Sequence, residues 1–141
     1  MLPRSALAAL LVLSVAGDAA GPRDILGTWY GSSICVKTPD NAACNDETVR
    51  YQFAVKGADS TLVHQVADKL VNGQWDLMGE LDYRWDAGAH EWNGDFENTR
   101  VKIRWTCRVS HDTLTGEVVV LPGRRIARHV VAVRMPPPGR P

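Results

Sequence analysis

The sequence predicts an all-β fold, a single domain built as an eight-stranded antiparallel up-and-down barrel. Apolar and polar residues alternate at a period of two along most of the chain, and no long segment carries apolar residues at helical spacing. Short turn-forming runs such as Asn72-Gly73 and Pro122-Gly123 separate the alternating segments. Every proline falls in a turn, a loop or a terminus, so the predicted strands can pair without interruption.

Residues 1–19 are predicted to be a cleavable signal peptide. Arg4 supplies a positive charge, residues 6–17 form an apolar run, and a small-x-small triplet ends at Ala19. The run stops at Asp18 and is shorter than the roughly 20 apolar residues that cross a bilayer, so no transmembrane segment is predicted. We therefore expect export to a secreted or periplasmic location.

The rest of the chain is predicted to be one domain, residues 20–134, followed by a proline-rich flexible tail, residues 135–141. The chain has 16 basic and 16 acidic residues, and the signal peptide contains one of each, so the exported protein keeps 15 of each. Such a balance is not typical of proteins that bind nucleic acids, and no nucleic acid partner is expected.

The predicted strands are separated by tight turns, except for one longer connection at 37–46. They span residues 27–36, 48–55, 61–70, 74–85, 90–97, 100–109, 113–120 and 125–134. Consecutive strands joined in this way favour a closed barrel, and a two-sheet sandwich is the alternative. An eight-stranded barrel is either filled by side chains or holds one small ligand.

The first predicted strand opens with Gly-Thr-Trp-Tyr at 27–30, which resembles the signature of the lipocalins and the wider calycin group. The resemblance implies a cup-shaped barrel whose closed end contains Gly27 and Trp29, with Arg134 packed over the Trp29 ring. The His-Asp pair at 111–112 departs from the Thr-Asp pair that is usual at the matching turn. The opening residues are also similar to the avidin group, but the polar residues that bind biotin there have no counterpart in this chain.

The three cysteines are expected to meet an oxidising compartment after export. Cys35 and Cys44 bracket the long connection, so a disulfide between them is predicted. Cys107 is expected to face inward near the opposite end of the barrel, beyond disulfide reach of the other two. It is predicted to be a buried, unpaired thiol rather than a reactive nucleophile.

No sequence motif indicates catalysis or a cofactor, because a Gly-x-Ser-x-Gly elbow, a phosphate-binding loop and a Cys-x-x-Cys pair are all absent. The four histidines lack the close spacing of a metal-binding motif, so no metal site is predicted. The acidic residues between 76 and 86 share one polar face and are expected to be solvated. We therefore expect a protein that is not an enzyme and that holds no cofactor.

A set of apolar and aromatic residues is predicted to face the interior and to form a ligand site. It comprises Val49, Tyr51, Trp75, Leu77, Phe96, Val101, Ile103 and Val118. The leading hypothesis is an exported lipocalin-like protein that binds a small hydrophobic or aromatic molecule at a mouth formed by Tyr51, Trp75 and Phe96. A core filled by side chains, without a cavity, is the alternative.

A second hypothesis gives the barrel a protein partner. Some exported protease inhibitors are small disulfide-clamped barrels with a similar Trp strand, and they insert an N-terminal trunk into the protease cleft. Here residues 20–26 would have to serve as that trunk. A hydrolase or isomerase on the same fold is a third hypothesis, for which the sequence selects no catalytic residue.

Overall fold

The computed structural model describes residues 21–135, which form one closed antiparallel barrel of eight strands. The strands are β1 Gly27–Cys35, β2 Glu47–Lys56, β3 Asp59–Val71, β4 Gln74–Asp86, β5 Glu91–Glu97, β6 Lys102–Ser110, β7 Thr113–Leu121 and β8 Arg125–Arg134. Short 3-10 helices at Pro22–Ile25 and Pro39–Asn41 precede β1 and β2. The predicted signal peptide and residues 136–141 of the predicted tail lie outside the described residues.

The predicted fold class is confirmed, and every predicted strand is present with its ends displaced by two residues at most. The strands are predictable because the alternation of apolar and polar residues and the turn-forming residues are local properties of the sequence. Within residues 21–135, no helix is long and apolar enough to cross a membrane.

The barrel closes because β1 pairs with β2 on one side and with β8 on the other. Each of the eight strands therefore has two neighbours in a single ring, which rules out the sandwich. Gly31 lies at the contact between β1 and β8, where an added Cβ would stand 1.9 Å from the carbonyl oxygen of Val131. Only glycine permits so close an approach at this position.

Trp29 and the segment before it seal one end of the barrel. The Trp29 side chain is fully buried, and its Nε1 donates to the carbonyl oxygen of Ile25 at 2.8 Å. The guanidinium of Arg134 lies 4.3 Å from the centre of the indole ring and donates to the carbonyl oxygen of Leu26 at 2.6 Å. The helix Pro22–Ile25 is thereby held against the base of the barrel.

Side chains fill the half of the barrel next to this base. The buried residues of this core are Ile25, Trp29, Val49, Tyr51, Phe53, Val63, Tyr83, Trp92, Cys107, Leu114, Val130 and Ala132. Aromatic pairs within this half meet edge to face or tilted, with ring centres 5.6 Å apart for Phe53 and Tyr83 and 5.4 Å apart for Trp85 and Trp92. Space for a ligand is therefore to be sought toward the other end.

A one-residue bulge interrupts β4 on that other side. Ala67 of β3 pairs with Gly79, but the next residue, Asp68, pairs with Leu77, so that Met78 has no partner in the ladder. An extra residue of this kind shifts the alternation of all residues beyond it to the opposite face. The segment of β4 before Met78 therefore presents the opposite face from the one expected.

Trp75 and Leu77 lie on the outer surface for this reason, and their predicted inward orientation is wrong. Leu77 is 63% exposed. The Trp75 ring packs outside the barrel, with its centre 5.6 Å from that of Tyr30 and 4.8 Å from the guanidinium of Arg50. Arg50 is held there by an ion pair with Asp68 at 2.7 Å. Neither of the two predicted ligand contacts can reach the interior.

Candidate functional site

The barrel wall opens sideways between β4 and β5. These two strands pair at only three positions, whereas every other pair of neighbours is matched at six or more. Beyond the pair Arg84–Asn93 the two strands separate, and a cleft of about 240 Å³ lies between them. Its lining residues are Gln65, Ala67, Met78, Gly79, Glu80, Leu81, Phe96, Ile103 and Trp105.

Small residues on one wall make the cleft wide, and large apolar side chains on the other wall make it apolar. Ala67 and Gly79 face it from β3 and β4, and a Cβ built on Gly79 would have no atom within 4 Å. Phe96, Ile103 and Trp105 form the opposite wall. A flat apolar group can therefore lie between the two walls.

Gln65 places a polar group at the bottom of this apolar cleft. The residue is 4% exposed, and its Oε1 accepts a hydrogen bond from the Tyr83 hydroxyl at 3.1 Å. Its Nε2 has no hydrogen-bond partner among residues 21–135. Leaving a buried donor unsatisfied lowers the stability of the folded protein by about 1–3 kcal/mol. Such a donor is therefore expected to have an acceptor, either in the protein or on a bound molecule.

The orientation of the Gln65 amide follows from Tyr83. Burial raises the pKa of Tyr83 well above its ordinary value, so the phenol keeps its proton and acts as a donor. In the structure it donates to the Gln65 amide oxygen, since a phenolic O–H can donate to that oxygen but not to the NH₂ group. The NH₂ group is left as the donor that faces the cleft.

Tyr51 lies deeper than the cleft, with its ring centre 6.3 Å from that of Trp105. It is 1% exposed, and burial raises the pKa of its phenol. The hydroxyl lies near Ser33 but does not reach hydrogen-bond geometry with it or with any other described residue. Tyr51 thus adds a second unsatisfied polar group to the interior of the barrel.

Arg128 obstructs the end of the barrel opposite Trp29. It pairs with Cys35 on β1 and Val118 on β7, both buried, so its side chain starts from the inner face. Its guanidinium donates to Ser33 Oγ and the Asn45 carbonyl oxygen, each at 2.7 Å. These bonds tie the 36–46 connection to the inner wall. Arg128 and this connection therefore occupy part of the end at which the family resemblance implies an open mouth.

The predicted disulfide between Cys35 and Cys44 is confirmed. It closes the connection that Arg128 anchors. Cys107 is the unpaired cysteine and is buried, as expected from its inward position. Burial raises the pKa of its thiol to about 12, so it carries almost no thiolate at neutral pH.

No protein-family model matches the chain, and no curated protein matches it. Among solved structures, the crystal structure of Rv2717c from M. tuberculosis is similar, with a TM-score of 0.54 and 11% identity over 84% of this chain and 100% of that chain. The likeness is one of fold alone.

The predicted ligand residues are dispersed rather than gathered at one mouth. Phe96 and Ile103 line the lateral cleft, and Tyr51 lies beneath it. Val49 and Val118 are core residues, 0% and 4% exposed, and Val101 is half-buried just before β6. Trp75 and Leu77 face outward. A mouth formed by Tyr51, Trp75 and Phe96 is therefore not present.

Seven of the nine lining residues of the cleft were not predicted as ligand contacts from the sequence, and Gln65, Ala67 and Gly79 are among them. One signal was available for Gln65: it is a lone polar residue at an inward position of β3, between the buried Val63 and the half-buried Ala67. Buried polar residues without an evident partner in the sequence are uncommon in barrel cores. The small side chains at 67 and 79 gave no such signal, because small residues occur for many reasons.

A second, larger concavity of about 630 Å³ lies on the outer face of β5 to β8. Four of its ionisable side chains already pair with one another, Arg108 with Glu91 at 2.9 Å and His129 with Glu117 at 3.7 Å. None of the buried polar atoms that lack a partner in the described chain belongs to it. The lateral cleft is the better candidate, because it alone joins an apolar lining to an unsatisfied donor.

The described residues contain no group of three or more His, Cys, Asp or Glu side chains arranged to hold a metal ion. Glu80 is the one ionisable side chain in the lining of the cleft. It is 54% exposed and lies 3.5 Å from His64 Nε2 on the outside of the barrel.

Proposed function

We propose that this chain is a binding protein for a small molecule with a flat apolar or aromatic body and one hydrogen-bond acceptor, held in the lateral cleft between β4 and β5. The observation that carries the proposal is the Nε2 donor of Gln65, which is buried, directed by Tyr83 and unsatisfied at the bottom of an apolar cleft. An acceptor on the ligand would restore the hydrogen bond that folding removes from this amide.

The size of the cleft sets the size of the ligand. An enclosed apolar cavity of about 150 Å³ holds one benzene, and sites for drug-sized ligands span about 300–1,000 Å³. At about 240 Å³, this cleft suits a single ring with a short polar substituent. Aromatic amides, ketones and carboxylic acids have this form. Phe96 and Trp105 would contact the ring, and Gln65 would donate to the substituent.

We also propose that the protein is exported, lipocalin-like and not an enzyme. The predicted signal peptide and a disulfide support export, since disulfides persist in oxidising compartments. The Gly-x-Trp start and the stacking of Arg134 on Trp29 support the lipocalin-like relationship. The absence of catalysis rests on the lining of the cleft, where no nucleophile with an adjacent base is present among the described residues.

The protease-inhibitor alternative has less support. Ile25 is fully buried under the barrel base, and the helix Pro22–Ile25 is held there by the bonds of Trp29 and Arg134. A segment packed in this way is not available as an insertable trunk.

The Gln65→Leu substitution is expected to weaken binding of such a ligand by about five- to thirtyfold. Leucine keeps the volume of the side chain but removes the donor, and a lost hydrogen bond of this kind is worth about 1–2 kcal/mol. Calorimetric titration with a panel of small aromatic amides, ketones and acids measures the effect. Gln52→Leu is the matched control, because Gln52 is exposed on the outside of β2.

The stability of the Gln65→Leu protein needs its own control, because the substitution also removes the acceptor of the Tyr83 hydroxyl. The double variant Gln65→Leu/Tyr83→Phe removes both partners and keeps the packing. Equal affinity of the wild type and this folded double variant for every ligand that binds would contradict the role given to Gln65.

Gly79→Leu is expected to abolish binding without lowering stability. The new side chain would enter the cleft, because nothing lies within 4 Å of its Cβ, and it would cover apolar side chains. Titration calorimetry together with thermal unfolding tests both parts. Gly123→Leu serves as control, since this glycine also has open space around it but lies in the turn before β8. Unchanged affinity in a folded Gly79→Leu protein would exclude the cleft as the site.

A further inference from the structure

The disulfide between Cys35 and Cys44 has a positively charged group in direct contact with both sulfur atoms. Arg128 Nη1 lies 3.0 Å from Cys35 Sγ and 2.9 Å from Cys44 Sγ. The side chain of Arg128 is only 15% exposed, so this contact is largely shielded from water. The contact is separate from the lateral cleft and does not depend on the proposed ligand.

The hydrogen bonds of Arg128 are divided unequally among its nitrogen atoms. Nε donates to Ser33 Oγ, and Nη2 donates to the Asn45 carbonyl oxygen and to Glu47 Oε2. Nη1 has no acceptor in the described chain other than the two sulfur atoms. Disulfide sulfur is a weak acceptor, so this N–H group is poorly satisfied while the bridge is intact. A thiolate in the same place would satisfy it far better.

Two carboxylates and one ammonium group also face this site. Glu47 Oε2 lies 3.1 Å from Arg128 Nη2, Asp46 Oδ1 accepts the backbone N–H of Cys35 at 2.9 Å, and Lys69 lies 3.4 Å from Glu47. Glu47 is thus shared between two cations. Arg128 is the only one of these charged groups whose side chain contacts sulfur in the described chain, so its effect on a thiolate is the most direct.

The two cysteine residues differ in their exposure to solvent. Cys35 is 8% exposed, while Cys44 is half-buried in the 36–46 connection. An incoming thiol therefore reaches Cys44 first. Attack at Cys44 makes Cys35 the leaving group, and a leaving thiolate that is stabilised by a neighbouring cation departs faster.

We propose that Cys35–Cys44 is a thiol-exchange site for low-molecular-weight monothiols, in which Arg128 stabilises Cys35 as the leaving thiolate. The thiolate of the monothiol forms a bond to Cys44 Sγ as the Cys35–Cys44 bond breaks, and the electron pair of that bond goes to Cys35 Sγ. The thiolate of a second monothiol then attacks the sulfur of the bound monothiol, and the electron pair of the broken bond goes to Cys44 Sγ. Two monothiols are oxidised to one disulfide, and the two cysteines are reduced.

The first experiment measures the thiolate of Cys35 directly. In the full chain carrying Cys44→Ser, absorbance at 240 nm is followed against pH, and Cys107 does not interfere because its pKa is about 12. We expect Cys35 to titrate at least one pH unit below the ordinary value of about 8.5. Adding Arg128→Met should raise the midpoint by at least one unit. Equal midpoints with and without Arg128 would overturn the proposal.

Two further measurements keep the proposal testable if Arg128→Met does not fold. Glu47→Gln in the Cys44→Ser chain removes the carboxylate that partly neutralises the charge of Arg128. The titration midpoint of Cys35 should therefore fall to lower pH, and an unchanged or higher midpoint contradicts the proposal.

In the wild-type protein, brief treatment with glutathione followed by alkylation and mass spectrometry should place the glutathione adduct on Cys44. An adduct on Cys35 would overturn the assignment of the leaving group.

Discussion

Replacing Trp29 with alanine is expected to lower the free energy of unfolding by about 3–5 kcal/mol, as for other fully buried aromatic residues. The indole is 0% exposed, its Nε1 is bonded to the Ile25 carbonyl oxygen at 2.8 Å, and its face supports the Arg134 guanidinium at 4.3 Å. All three contacts are lost together. The helix Pro22–Ile25 then loses its bond to Trp29, one of the two side chains that attach it to the barrel. Urea unfolding followed by far-UV circular dichroism measures the change.

Trp75→Ala is the matched control for this prediction. The same residue type is removed, but Trp75 lies on the outer face, where its main contacts are Tyr30 and Arg50. A loss of about 1 kcal/mol is expected there, as for an exposed cation–π contact. Similar losses for the two tryptophans would show that the base of the barrel does not have the role assigned to it.

Removing the disulfide is expected to have the second largest effect. The bridge links residues nine apart in the chain, and the chain-entropy model gives about 2–3 kcal/mol for a loop of this length. The double variant Cys35→Ser/Cys44→Ser should therefore unfold at a correspondingly lower urea concentration. Part of this loss of stability should come from Arg128, because the substitutions also remove the contacts of its Nη1 with both sulfur atoms.

The reductant dependence of unfolding provides the control. The wild-type protein should lose stability in dithiothreitol, while the double serine variant should be unaffected by it. Mass spectrometry of alkylated protein confirms that the bridge is open under the conditions used. A wild-type protein that is fully reduced and yet unfolds at the same urea concentration as the oxidised one would contradict this prediction.

The strands and the disulfide were predictable because they depend on local properties of the sequence. Alternation over 101–109 and the turn at Asn72-Gly73 fix where strands begin and end, and the spacing of Cys35 and Cys44 suits a bridge across one connection. The orientation of Trp75 and Leu77 was not predictable in this way. Apolar and polar residues alternate without interruption in the sequence of β4. The bulge at Met78 is defined by how β4 pairs with β3, which the sequence of β4 alone does not show.

The candidate site depends on contacts between distant parts of the chain. The cleft exists because β4 and β5 separate after three pairs, a property of the sheet and not of either strand. The obstruction of the end opposite Trp29 depends on Arg128 meeting Ser33 and Asn45, more than 80 residues away along the chain. Sequence patterns do not contain such pairings. Gln65 was the exception, since a polar residue at an inward strand position was visible without the structure.

The most direct test of the proposed site is to observe the side-chain amide of Gln65 during ligand titration. The chain has three glutamines, and Gln52 and Gln74 are exposed, so their amide signals serve as internal controls in a ¹⁵N-labelled sample. We predict that at least one small aromatic amide, ketone or acid shifts the Gln65 NH₂ signal in a saturable manner. The same compound should leave the signals of Gln52 and Gln74 unchanged. Compounds that bind the protein, as judged by calorimetry, and leave the Gln65 signal unmoved would contradict the proposed site.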